Sequence, residues 1–84
     1  MVDQEIGVVT HYFDRPGVAI IKVTEGELAL GDTIRIVGHT SDFTEEVTSM
    51  EVDHEKVEQA IAGQEVAVKV IARARSHDRV LKVP

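Results

Sequence analysis

Apolar and polar positions alternate along most of this chain, and this spacing is typical of β-strands. The apolar positions are rich in valine and isoleucine, which favour extended backbone. Turn-forming Gly, Pro, Asp and Ser residues separate the runs. The pattern therefore predicts strands at 6–13, 18–23, 33–37, 43–52, 64–75 and 79–83.

The stretch 26–38 gives the clearest local prediction. It contains a glycine turn, a Leu-x-Leu step, a Gly-Asp turn and then a strand with apolar Ile34 and Ile36. Glycine tolerates positive φ, so Gly31 is expected in a left-handed conformation. The carboxylate of Asp32 is expected to accept a hydrogen bond from a nearby backbone amide.

The candidate strand 43–52 changes its alternation part-way. Phe43 and Val47 share one parity, whereas Met50 and Val52 share the other. One extra residue in a strand reverses the alternation. A β-bulge near Thr48 or Ser49 is therefore predicted.

One segment, 53–63, has helical spacing. Val57, Ala60 and Ile61 lie at i, i+3 and i+4 and would form one apolar stripe. Asp53 is a candidate N-cap, and a glycine ends the segment. A helix of at most two turns is predicted here.

Together these elements predict an all-β fold, a small closed β-barrel of six to seven strands with one short helical segment, over a single domain at 1–84. Closure is favoured because it removes exposed strand edges, and an open sandwich is the alternative. The predicted core is aliphatic: Ile20, Ile34, Ile36, Met50, Val66, Val68 and Val70.

Composition narrows the class of protein. The 84-residue chain has no cysteine, which excludes disulfides and thiolate metal sites. No apolar run has the length of a membrane helix, and the acidic start does not resemble a signal peptide. A cytoplasmic protein is expected.

The formal net charge of −6 is unevenly distributed. Residues 41–65 hold eight acids and one base, whereas residues 66–84 hold five bases and one acid. The overall charge argues against nonspecific nucleic-acid binding, and the basic end leaves room for a local site.

In the predicted strand 64–75, the parity of the core valines directs Lys69, Arg73 and Arg75 outward, with Arg79 following after a turn. These four cations are the candidate partner-binding residues. Either acids on another strand neutralise them, or they are free to meet phosphates. The acids considered are Glu45, Glu46 and Glu51.

No catalytic or metal-binding residue is predicted. The four histidines lack the spacing of metal ligands and are interpreted as surface or turn residues. The acids of 45–51 are interpreted as the solvated side of a strand. Ser49 lies outside any Gly-x-Ser-x-Gly motif. No cofactor is expected.

The order of motifs resembles a known family. Gly17-Val18 is followed by the Gly-x-Leu-x-Leu-Gly-Asp-x-Ile-x-Ile-Val-Gly segment 26–38, then by Val-Thr-Ser-Met at 47–50 and Ala-x-x-Gly-x-x-Val-x-Val at 60–68. This set resembles the second domain of translational GTPases such as elongation factor Tu. It is most similar to small stand-alone elongation-factor-like proteins and to the C-terminal barrel of U32 peptidase-like proteins, whose members include RNA-modifying enzymes.

The resemblance implies a barrel that contacts tRNA, ribosomal RNA or neighbouring domains. GTP binding is not expected, because the chain has no Gly-x-x-x-x-Gly-Lys-Ser/Thr phosphate loop. The first hypothesis is a non-enzymatic binding module that presents a barrel face to RNA, a ribosomal component or a partner protein. The alternative is an accessory subunit of a separate RNA-modifying or U32 peptidase-like enzyme. A homodimer formed through Ile71 is a third possibility.

Overall fold

The computed structural model describes residues 2–84 and contains ten β-strands and no helix in that range. The strands are β1 (Gln4–Phe13), β2 (Val18–Val23), β3 (Glu27–Ala29), β4 (Thr33–Val37), β5 (Asp42–Glu46), β6 (Met50–Val52), β7 (Glu55–Lys56), β8 (Gln59–Ile61), β9 (Glu65–Lys69) and β10 (Arg79–Val83). The predicted all-β class is confirmed.

Eight strands form one antiparallel sheet in the order β5-β4-β10-β1-β2-β9-β6-β7, and β3 pairs with β8 separately. The hydrogen-bonded ladder has two edges, β5 and β7, so it does not close on itself. A backbone hydrogen bond from Gly63 N, just after β8, to Val23 O of β2 at 2.8 Å ties the small sheet to the large one. The closed barrel stays a prediction.

The core lies on one side of the large sheet and is aliphatic, as predicted. Six of the seven predicted core residues are buried: Ile34, Ile36, Met50, Val66, Val68 and Val70. The prediction for Ile20 is wrong, because β2 buries Ala19, Ile21 and Val23 and leaves Ile20 on the opposite face. In a continuously apolar strand, both parities look suitable for a core, and only pairing decides between them.

The Gly-Asp turn forms as predicted. Gly31 has a φ of 90°. The Asp32 Oδ2 atom accepts a hydrogen bond from Ala29 N at 2.9 Å and also lies 3.2 Å from Lys82 Nζ. These contacts fix the start of β4.

The predicted helix at 53–63 is wrong. Asp53 and His54 have φ values of 51° and 65°, and they form the two-residue turn that joins β6 to β7, with Val52 paired to Glu55. Two consecutive residues with positive φ are the signature of a type I′ hairpin turn, which Asp tolerates well. The same short polar side chain that suits a helix N-cap therefore also suits this turn.

The predicted bulge in 43–52 is also wrong, because this segment contains two strands. β5 ends at Glu46, and Val47 exchanges backbone bonds with Gly31 and Asp32, at 2.9 and 2.8 Å. β6 then begins at Met50 and pairs with β9. Both Val47 and Met50 are buried. The alternation changes because the chain crosses here from β5, at one edge of the sheet, to β6, near the other edge.

Candidate functional site

The face of the large sheet that points away from the core carries a groove across β1, β2, β9 and β6, which we call the outer groove. Directly paired residues of antiparallel strands project to the same face. One row across the strands is His11, Ile20, Ala67 and Glu51. A second row is Phe13, Val18 and Lys69.

The outer groove consists of two overlapping cavities of about 460 and about 220 Å³. Ile20 and Ala67 line both cavities and form the floor. The small side chain of Ala67 lies between the longer side chains of Ile20 and Glu51 on the adjacent strands, and this difference in size gives the groove its depth.

One end of the outer groove is apolar with a single cation. Phe13, Pro16 and Val18 lie there, beside Lys69. Phe13 is 46% exposed, and its ring centroid lies 4.6 Å from that of His11. Phe13 is not isolated, since Pro16 and Val18 line the same cavity, and a contiguous exposed apolar patch is typical of a surface that contacts another molecule.

The other end of the outer groove is acidic. Asp53 and Glu65 line it, and Glu51 and His54 line both cavities. Glu65 and Lys69 are the two ends of β9, and four steps along the strand from one residue to the next separate them by about 13 Å. The hydroxyl of Thr10 donates a hydrogen bond to Glu65 Oε2 at 3.2 Å, which fixes this carboxylate beside the groove.

The structure does not place the four predicted cations on one strand face. β9 ends at Lys69, and Arg73 and Arg75 are exposed on the connection 70–78 between β9 and β10. Arg79 lies on β10, which is separated from β9 by β1 and β2. The bond from Val70 N to Gly17 O, at 3.0 Å, extends the pairing of β9 with β2 by one residue, and the chain leaves the sheet after it.

Of the two alternatives for these cations, neutralisation by Glu45, Glu46 or Glu51 is not seen among residues 2–84. Arg79 pairs with Glu5 at 3.5 Å, not with the acids proposed. Within residues 2–84, Lys69, Arg73 and Arg75 have no carboxylate partner within 4.0 Å. Only Lys69 belongs to the outer groove, and the role of all four cations in partner binding stays a prediction.

Glu45 is a functional candidate that the sequence reasoning missed. Its carboxylate is buried on the core side of β5 and accepts a hydrogen bond from Ile71 N at 2.8 Å. Burial raises the pKa of Glu45, and the hydrogen bond from Ile71 opposes this rise only in part. The signal was present, because Glu45 shares the parity of Phe43 and Val47.

A second buried carboxylate fixes the far end of the connection 70–78. Asp78 Oδ2 accepts from Arg75 N at 2.9 Å, and the Asp78 carbonyl accepts from Val9 N at 2.8 Å.

No group of three His, Asp or Glu side chains in the described part of the chain has the arrangement of a metal site. No helix long and apolar enough to span a membrane is found among these residues.

Comparison with known proteins decides the family. The family model described as elongation factor Tu domain 2 matches residues 17–76. The chain belongs to the elongation factor Tu domain 2 family. The resemblance inferred from the Gly-Asp-x-Ile segment and the motifs around it is confirmed.

Curated relatives connect this elongation factor Tu domain 2 chain to proteases. It is 42% identical over 77 residues to the uncharacterized protease MJ0090 of Methanocaldococcus jannaschii, covering 90% of this chain and 19% of that protein. It is 32% identical over 78 residues to a collagenase of Porphyromonas gingivalis, covering 92% of this chain and 22% of the collagenase. The chain thus spans about a fifth of the length of these relatives.

A solved structure shows the same fold. The C-terminal domain of a Geobacillus thermoleovorans protein described as a U32 peptidase superposes with a TM-score of 0.88 at 19% identity, covering 96% of this chain and 93% of that chain. The selenomethionine variant of that domain gives the same TM-score at 20% identity, covering 94% and 99%. The similarity to this C-terminal domain extends over nearly the whole chain.

Proposed function

We propose that this chain is a non-enzymatic binding module that uses the outer groove to contact a partner protein. The observation that carries the proposal is the half-buried apolar floor of Ile20 and Ala67, which continues into the exposed ring of Phe13. Apolar side chains on this face are not part of the hydrophobic core and do not stabilise the fold in that way. They are available to a partner, which would remove them from water.

The relatives favour a particular kind of partner. Two of them are named as a protease and a collagenase, and this chain matches about a fifth of each. We therefore propose that the module serves an enzyme of the U32 type, with the catalytic residues outside the segment matched here. This corresponds to the accessory role that the sequence suggested as an alternative to a ribosomal role.

Affinity capture from cell extract with two matched variants tests this function. Ile20→Asp places a charge on the groove floor, whereas Ile61→Asp places the same charge at a 54% exposed position on β8. We expect one stoichiometric enzyme to bind the wild type and Ile61→Asp but not Ile20→Asp. Equal capture by all three would exclude the outer groove, and capture of ribosomal material would favour the translation-type role instead.

A further inference from the structure

The distribution of charge in the outer groove indicates what kind of segment occupies it. Among the described residues, three carboxylates line the groove, those of Glu51, Asp53 and Glu65, against one cation, Lys69. Lys22 and Lys56 are paired in register with Glu65 and Glu51 but do not line the cavities. Neither lysine lies within 4.0 Å of a carboxylate in residues 2–84.

All three acids line the smaller of the two cavities. β6 runs antiparallel to β9, with Glu51 opposite Ala67, so the turn at Asp53 and His54 lies towards the Glu65 end of β9. A phosphate placed at this end would meet carboxylates of its own sign, and like charges in proximity are unfavourable. The groove is therefore poorly suited to RNA and well suited to a cation.

The length of the groove sets the size of the occupant. The distance of about 13 Å between the Glu65 and Lys69 positions corresponds to about four residues of extended polypeptide. The apolar floor of Ile20 and Ala67 lies between these ends. If the bound segment places a leucine-like side chain over this floor, the segment's flanking residues lie near the charged ends of the groove.

From this layout, and resting on the proposed function, we infer that the outer groove takes a short extended segment of a partner polypeptide. The segment carries an apolar side chain over Ile20 and Ala67 and a lysine or arginine at the end formed by Asp53 and Glu65. The occupant is thus a basic-apolar protein segment, and the acids lining the groove select it over an acidic one.

Titration of labelled protein with two defined peptides, followed by backbone amide shifts, tests the inference. The probes are the acetylated and amidated pentapeptide Gly-Leu-Ser-Lys-Gly and the same peptide with Glu in place of Lys. We expect saturable shifts at Ile20, Ala67 and Glu51 with the lysine peptide. The glutamate peptide should bind about fivefold more weakly, the ratio given by one favourable exposed ion pair.

A charge reversal makes the test sharp. In the double variant Glu51→Lys, Glu65→Lys the glutamate peptide should become the tighter ligand, and in Glu51→Gln, Glu65→Gln the preference should disappear. The control Glu46→Lys, Glu58→Lys makes the same change of net charge at exposed positions outside the groove and should keep the wild-type preference. The amide spectrum of each variant establishes that it is folded.

Three results would overturn the inference: no saturable shift with either peptide, equal affinity for both, or saturable shifts of the same groove amides with a uridine hexanucleotide. The proposed function fails separately. If Ile20→Asp abolishes capture of the partner but the double charge reversal does not, the binding function stands and the basic-apolar segment is excluded. If Ile20→Asp captures the partner like the wild type, the proposed function itself is excluded.

Discussion

The buried carboxylate of Glu45 on β5 accepts a hydrogen bond from the backbone amide of Ile71 at 2.8 Å. This bond joins an edge strand of the sheet to the connection 70–78, at a point where Ile71 is 75% exposed. The Glu45 carboxylate is buried and has no ion-pair partner among residues 2–84. Because its ionised form is disfavoured there, the free energy of unfolding should depend on pH.

Replacement of Glu45 by Gln should remove this pH dependence. Burial raises the pKa of Glu45 above its value in the unfolded chain, so the group contributes stability that is present below the unfolded pKa and is lost as pH rises through the folded pKa. In the variant, the side-chain amide oxygen can still accept a hydrogen bond from Ile71 N, but the group never ionises. The free energy of unfolding of Glu45→Gln, relative to that of wild type, should therefore be higher at about pH 7 than at about pH 4.

Thermal unfolding of both proteins across this pH range checks the prediction. Glu46→Gln is the matched control, because Glu46 is the exposed neighbour on the same strand. Parallel curves for wild type and Glu45→Gln would contradict it.

Gly38→Ala should destabilise the fold by overpacking. A Cβ atom at this position would lie 1.8 Å from Asp78 Oδ1 and 2.5 Å from Asp78 Cγ. The Asp78 side chain is buried and bonded to Arg75 N, so it cannot move aside without losing that bond. We expect a loss of about 1–3 kcal/mol in the free energy of unfolding, measured with denaturant.

The double variant Gly38→Ala, Asp78→Ala identifies the cause. Removal of the carboxylate also removes the clash, so Gly38→Ala should cost much less in the Asp78→Ala background than in wild type. An equal cost in both backgrounds would show that the contact with Asp78 is not responsible.

Ile36→Ala should be among the more costly truncations. Ile36 is fully buried on β4, and removal of its side chain leaves a cavity that costs about 2–5 kcal/mol. Ile61→Ala, at an exposed position, is the control and should change stability little. A denaturant midpoint of Ile36→Ala equal to that of wild type would contradict the role of Ile36 in the core.

The strands were predictable where their faces differ in polarity. β4 alternates, and its buried Ile34 and Ile36 were identified correctly; β2 is apolar on both faces, and Ile20 was assigned to the wrong side. The sequence could not reveal that Asp53 and His54 take positive φ, because Asp suits both an N-cap and a type I′ turn. Local preference alone does not separate these two outcomes.

The outer groove was less predictable than the fold. Lys69 was identified, but Phe13, Ile20 and Ala67 come together only through the pairing of β1, β2 and β9. Arg73 and Arg75 continue the alternation of β9 in sequence, although the chain has already left the ladder. Small apolar residues can be buried in a strand or in a connection that covers the core. Ala74 is buried in the connection 70–78.

The predicted basic site is best tested by RNA binding at low salt. Arg73 and Arg75 are exposed and have no ion-pair partner among residues 2–84, whereas Arg79 is paired with Glu5. If all three arginines contacted phosphates, the logarithm of affinity would fall with the logarithm of salt concentration with a slope of about −2. Because Arg79 is paired with Glu5 and the chain has a net charge of −6, we expect no such binding.

The comparison is between wild type, the triple variant Arg73→Ala, Arg75→Ala, Arg79→Ala, and a control triple variant Arg15→Ala, Lys22→Ala, Lys56→Ala with the same change of net charge. Fluorescence anisotropy with a labelled single-stranded RNA at several salt concentrations measures both affinity and slope. We expect all three proteins to give the same negligible signal. Salt-dependent binding that is lost in the first variant and kept in the control would contradict this expectation, because loss of charge alone would weaken both variants equally. That result would assign Arg73, Arg75 and Arg79 to a nucleic-acid site separate from the outer groove.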